Sequence, residues 1–178
     1  MKKVQLILLF VCTFVIGSFA QGFVKEKQDI KSTILNKEVH YSIFLPSDYY
    51  TSERAYPVTY LLHGYGDADD GWIQFGEVNR LADDAIKAGK IPPMIIVTPD
   101  GFTSFYINGA DGKLNYEDFF IKELIPHIEK TYKVKAERRF RGIAGLSMGG
   151  YGSLLYALKY PNLFVASAPL SAAVWTDN

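Results

Sequence analysis

The chain has 178 residues, of which 48% are hydrophobic and 21% charged; this suits one globular domain and excludes a disordered or low-complexity chain. Lys plus Arg and Asp plus Glu are both 19, so no net field draws the protein to nucleic acid or to an anionic membrane surface. The single cysteine, Cys12, excludes a disulfide scaffold.

Residues 1–20 read as a secretory signal peptide cleaved before Gln21. Lys2 and Lys3 give the basic start, Val4 to Ile16 is an almost unbroken apolar run, and Ser18-Phe19-Ala20 offers small residues where a signal peptidase reads. A retained membrane anchor is the competing reading, but the run is short against the roughly 20 residues a bilayer requires. Phe10 and Val11 are not the small residues that precede a lipobox cysteine. The mature domain, 21–178, is therefore expected to be secreted or periplasmic, with no stable membrane span after signal cleavage. It loses Cys12 with the leader and must rely on its core.

Along the mature chain, Val39, Tyr41, Ile43 and Leu45 alternate with their neighbours and predict a strand, paired as a hairpin with Gly22–Leu35 around Asn36-Lys37. Tyr56–Leu62 predicts a buried strand, followed by Gly64 and Gly66. Val78, Leu81, Ala82, Ala85 and Ile86 fall at helical spacing, predicting one helix from Trp72 to Ala88. Met94–Val97 is a second buried strand, closed by Pro99-Asp100-Gly101, and a polar loop runs to Lys113. Asn115 is placed to cap a helix with Asp118 in a box-like arrangement; Phe120, Leu124, Ile125, Ile128 and Tyr132 line its face, and Pro126 predicts a kink. Phe140–Leu146 is a third buried strand, Gly149–Tyr160 a helix, and Phe164–Ala168 a fourth buried strand. This order implies an α/β fold, a mostly parallel sheet with helices on both faces.

Gly145-Leu146-Ser147-Met148-Gly149 matches G-x-S-x-G, with a strand before it and a helix after it. In such a nucleophile elbow the serine takes a strained conformation, so Gly145 and Gly149 must lack side chains. Ser147 then stands at the carboxyl end of the sheet beside a helix N-terminus, whose partial positive charge favours an oxyanion. An ordinary βα turn is the alternative. Upstream, Leu61-Leu62-His63-Gly64-Tyr65-Gly66 also follows a strand and can aim a backbone N–H at the same place, with the Met148 N–H as the second donor.

Together, His63-Gly64-Tyr65-Gly66-Asp67, Pro99-Asp100-Gly101, Tyr116-Glu117-Asp118 with Glu123-Leu124-Ile125-Pro126, and Ala144 to Gly152 resemble the putative-esterase family of α/β-hydrolases. That family includes esterase D-like enzymes, feruloyl and acetyl-xylan esterases and the mycolyltransferase antigens. The resemblance implies the α/β-hydrolase fold and a serine carboxylesterase. It implies Ser147 as catalytic nucleophile, the Tyr65 and Met148 amides as oxyanion hole, and Trp72 near the acyl or alcohol pocket. No metal or organic cofactor is required. The expected partner is a small-molecule or polysaccharide ester, with acetyl or feruloyl groups the plausible acyl parts, and no nucleic acid.

In this fold a nucleophile is followed by an acid and then a histidine. After Ser147 the sequence has no histidine, and its only acidic residue is Asp177. His63 suits positioning or packing, His127 a helix surface and His40 an outward strand position. Asp100 reads as a turn residue, and Asp67, Asp69 and Asp70 as a solvated loop rather than a metal site. The expectation is therefore a C-terminally truncated chain, lacking the last strands with the acid and the histidine, and inactive alone. Acyl transfer to a sugar, a non-catalytic carbohydrate-binding protein using Tyr49, Tyr50, Phe102 and Tyr106, and a peptidase are the competing readings.

Overall fold

A computed structural model describes residues 21–174. The signal-peptide reading and Asp177 fall outside the described residues. Within them, no helix is long and apolar enough to cross a membrane.

Among the described residues six strands form one sheet: β1 Phe23–Ser32, β2 Lys37–Leu45, β3 Val58–Leu62, β4 Ile95–Pro99, β5 Arg141–Leu146 and β6 Ala166–Leu170, in the spatial order β1-β2-β4-β3-β5-β6. β3 runs parallel to β4 and β5, and β5 parallel to β6, whereas β2 is antiparallel to both β1 and β4. The predicted hairpin forms, but its turn is residues 33–36, with Asn36 left-handed at φ 52°, so the bend comes earlier than expected. The Glu123 carboxylate fixes that turn, accepting hydrogen bonds from Ser32 Oγ, Thr33 N and Oγ1, and Ile34 N.

The helices are α1 Gly71–Gln74, α2 Val78–Lys87, α3 Tyr116–Phe119, α4 Ile125–Thr131 and α5 Met148–Lys159, with a π turn at Phe120–Leu124 joining α3 to α4. One face of the sheet carries the larger core. There Tyr60, Leu62, Ile95, Val97 and Ile143 meet Phe120, Leu124, Ile128, Met148 and Tyr156. On the other face a smaller cluster of Phe44, Leu61, Ala82 and Ile96 packs with Trp72, Val78 and Ile86. The expected two-sided covering is thus present, and unequal.

Several elements differ from expectation for identifiable reasons. The single helix from Trp72 to Ala88 is two, because Glu77 takes φ 47° beside Gly76 and breaks the ladder. Leu81 is 53% exposed, since α2 turns Val78, Ala82 and Ile86 toward the sheet instead. Asn115 makes no side-chain cap; the Asp118 N–H is taken by Asn108 Oδ1 from the preceding loop. Pro126, expected to mark a kink, falls in the first turn of α4, directly after the π turn at Phe120–Leu124, a position where a missing N–H costs little. β6, expected buried, lies at the sheet edge and is largely exposed. Asp69, expected in a solvated loop, is buried and accepts a hydrogen bond from Ser42 Oγ at 2.6 Å.

Candidate active site

The backbone at Ser147 has φ 55° and ψ −111°, a conformation that costs a non-glycine residue about 1–3 kcal/mol and persists only where surroundings impose it. The imposition is visible. Ser147 N donates to Leu170 O at 2.9 Å, while its carbonyl accepts from Tyr151 N at 2.9 Å and Ala173 N at 3.1 Å. The two flanking glycines are required by space. A methyl on Gly145 would sit 2.9 Å from Gly149 Cα, and one on Gly149 would sit 2.7 Å from His63 O and closer still to Leu62 O. Ser147 ends β5 and precedes α5, so the half-buried side chain stands at the carboxyl end of the parallel strands. The first amides of α5, Met148 among them, have no intrahelical partner, leaving donors at that spot.

The loop after β3 comes to the same place. A Cβ built on Gly64 would lie 4.0 Å from Ser147 Cβ. Tyr65 follows, its side chain 66% exposed and its ring 5.9 Å from Phe105, which in turn lies 6.3 Å from Tyr151. On the other side of Gly64 is a cavity of about 240 Å³ lined by Asp67, Gly71, Trp72, Phe75, Gly76 and Leu146. Trp72 is fixed there by its Nε1–H, which donates to Leu62 O at 3.1 Å. Gly145, Gly149, Ser147, Met148, Tyr65 and Trp72 are therefore gathered at one end of the sheet. Sequence reasoning missed Phe75, Leu146, Phe105 and Tyr151. Tyr151 alone had a readable signal, four residues beyond Ser147 on the same helix face.

His63 is fully committed. Its Nδ1 lies 2.7 Å from Gly64 O, and Gly101 N donates to its Nε2 at 2.7 Å. A carbonyl only accepts and an amide only donates, so Nδ1 carries the hydrogen and Nε2 offers its lone pair. Asp100 Oδ1, 3.6 Å from Nε2, therefore makes no ion pair with the ring; it accepts from Phe102 N at 2.8 Å, the expected turn role. His63 thus joins the loop after β3 to the loop after β4. Beneath it, Tyr106 donates to His63 O at 3.1 Å, Tyr156 to Tyr106 O at 2.6 Å, and Tyr116 to Asp100 O at 2.8 Å. Burial pushes these three phenols well above their ordinary pKa, so they remain donors. Tyr106 is hence wholly buried, not an exposed sugar-stacking residue; Tyr49 is also buried and Phe102 half-buried, and only Tyr50 of those four is exposed.

The other two histidines lie elsewhere. His40 is exposed on β2 with Nδ1 2.5 Å from Asp29, and His127 on α4 has Nε2 3.1 Å from Tyr41 OH. Among the described residues no cluster of His, Cys, Asp or Glu is arranged to hold a metal ion.

The model of the family described as Putative esterase matches residues 32–178. An esterase of Mycobacterium tuberculosis is 42% identical over 131 residues, spanning 71% of this chain and 27% of its own. An endo-1,4-beta-xylanase/feruloyl esterase of Xylanibacter ruminicola is 38% identical over 130 residues, 69% of this chain and 18% of that protein. Among solved structures, a ferulic acid esterase superposes with a TM-score of 0.81 at 36% identity, over 86% of this chain and 60% of its own. The chain thus spans about a quarter or less of these curated relatives, and the architecture is the α/β-hydrolase fold.

Proposed function

The chain belongs to the putative-esterase family, and on that premise we propose that it serves a secreted serine carboxylesterase whose nucleophile is Ser147. Ser147 Oγ attacks an ester carbonyl while the Tyr65 and Met148 amides hold the developing oxyanion. The alcohol leaves carrying the proton that Ser147 gives up, and water then splits the acyl-serine, its hydroxide going to the acid and its proton back to Ser147 Oγ. The single observation that supports this most is the backbone of Ser147, held at φ 55° and ψ −111° by neighbours that tolerate no Cβ. A binding protein has no use for that strain.

The acyl group enters the cavity beside Trp72, Phe75 and Leu146, and the alcohol faces Tyr65, Phe105 and Tyr151. Acetyl or feruloyl esters of polysaccharides are the substrate class, a reading supported by the names of the xylanase/feruloyl esterase and ferulic acid esterase relatives. The general base of this proposal is none of the three histidines. His63 has both nitrogens engaged, and His40 and His127 are tied to other partners.

Labelling by a fluorophosphonate probe tests the nucleophile. Full-length protein recovered outside the cell, beginning at Gln21 by N-terminal sequencing, is expected to label stoichiometrically and to lose all labelling in Ser147→Ala. Retained labelling in that variant would remove Ser147 from the role.

A further inference from the structure

A second groove lies away from Ser147, on the face that carries the larger core, between β1–β2 and α4. Its volume is about 450 Å³, within the range of small-ligand sites and nearly twice that of the cavity at Trp72, and the two share no residue. Three strand spacings separate β2 from β5 in the sheet, roughly 14 Å. No step of the proposed ester chemistry uses it.

The groove is shaped by an irregularity in β1. Lys25 pairs with Ile43 and Gln28 with Tyr41, so the register slips between them. Residues three apart on a regular strand point to opposite faces. Here Ile43 and Tyr41 are two apart and share a face, so the additional residue puts Lys25 and Gln28 on that face too. The slip is held at a cost, because Lys27 sits at φ 50° with its N–H donated to Ser42 Oγ at 3.2 Å. A bulge that re-aims side chains into a cleft is a common device beside binding sites.

The lining is aromatic and polar in similar measure. Tyr41, buried, has its hydroxyl 3.1 Å from both His127 Nε2 and Tyr132 OH. Burial, and then the charge of Lys130, hold His127 below the ordinary histidine pKa, so its ring is uncharged at neutral pH. Tyr50 is 54% exposed and steadied by edge contacts with Phe23 and Tyr49 at 4.9 and 5.1 Å. Lys25 and Asp29 contribute opposite charges that balance, Asp29 with one oxygen 2.5 Å from His40 Nδ1, and Gln28 contributes an amide whose Nε2 donates to Glu26 O at 3.0 Å, leaving its carbonyl oxygen to accept. A ligand suited to this wall is uncharged, has apolar C–H faces for tyrosine rings, and carries many hydroxyls for the amide, carboxylate and ammonium.

We propose that this groove binds a neutral polysaccharide segment, holding the polymer to the protein at a point apart from the ester-cleaving serine. The proposal rests on the groove's own chemistry and stands whether or not Ser147 is the nucleophile.

Electrophoresis of the full-length protein through gels containing soluble arabinoxylan is the test. The wild type is expected to be retarded, and Tyr50→Ala and Gln28→Ala to weaken the apparent affinity at least tenfold, while hydrolysis of methyl ferulate stays unchanged. Both residues are exposed or half-buried, so folding is not at stake, and circular dichroism checks it. Retardation that survives fluorophosphonate modification of Ser147 supports the groove. Retardation abolished by that modification, unchanged in both variants, or absent in the wild type overturns it.

Discussion

Ser147, at the end of β5, and Lys27, within β1, both hold a non-glycine side chain at positive φ, and the two places are built oppositely. Ser147, at the centre, is clamped by a hydrogen bond from its amide, two to its carbonyl, and glycines whose Cβ positions are filled by other backbone. Lys27, at the edge, is exposed and held by one hydrogen bond from its amide to Ser42 Oγ. Ser147 keeps its strain because its amide, its carbonyl and the Cβ positions of both flanking glycines are all taken up by other backbone. The edge tolerates a similar dihedral because a surface strand gives way at little cost.

Substitutions can break or sharpen that contrast. The largest effect is expected for Gly149→Ala, whose methyl would meet the carbonyls of Leu62 and His63; backbone is what must shift, so a loss of about 3 kcal/mol follows by urea unfolding, with loss of fluorophosphonate labelling. A smaller effect is expected for Glu123→Gln at the β1–β2 turn. Burial raises this carboxyl, but hydrogen bonds from Ser32, Thr33 and Ile34 outweigh it and hold the pKa below the usual glutamate value. A carboxyl depressed in the folded state stabilises above its unfolded pKa and loses that contribution as pH falls through its folded pKa. The variant should therefore be about 1 kcal/mol less stable at pH 7, the group being partly solvated, and equal to wild type in acid below the folded pKa. A gap that persists there would put the effect in packing rather than charge. The smallest effect is expected for Lys27→Gly. Relief of a left-handed residue and the added freedom of the unfolded chain nearly cancel, leaving a change of about 0.5 kcal/mol or less. If Lys27→Gly and Gly149→Ala gave similar shifts, the contrast between clamped centre and yielding edge would fail.

The central strands were legible because their signal is local. The apolar runs at Val58–Leu62 and Ile95–Pro99, and the small residues around Ser147, state their roles without reference to the rest of the chain. The helix break at Gly76-Glu77 was not legible, since Val78 to Ile86 keep helical spacing on both readings and only Trp72's bond to Leu62 O requires the earlier turn. Tyr106 was misread for a similar reason. It sits in a loop of polar residues, yet a Cβ on Gly101 or Gly152 would strike its ring, so a nearby glycine and one far along the chain together make its pocket. The bulge in β1 was invisible too, because Lys25, Lys27 and Gln28 fit a regular exposed strand equally well.

His63 is held at both of its nitrogens and is 1% exposed. For solution chemistry it scarcely exists. Of the three histidines in residues 21–174, diethyl pyrocarbonate, which acylates imidazoles, should modify His40 and His127 in the native fold and His63 only once the protein is denatured. The third is a spectroscopic gauge of whether the two loops flanking the serine are still tied together.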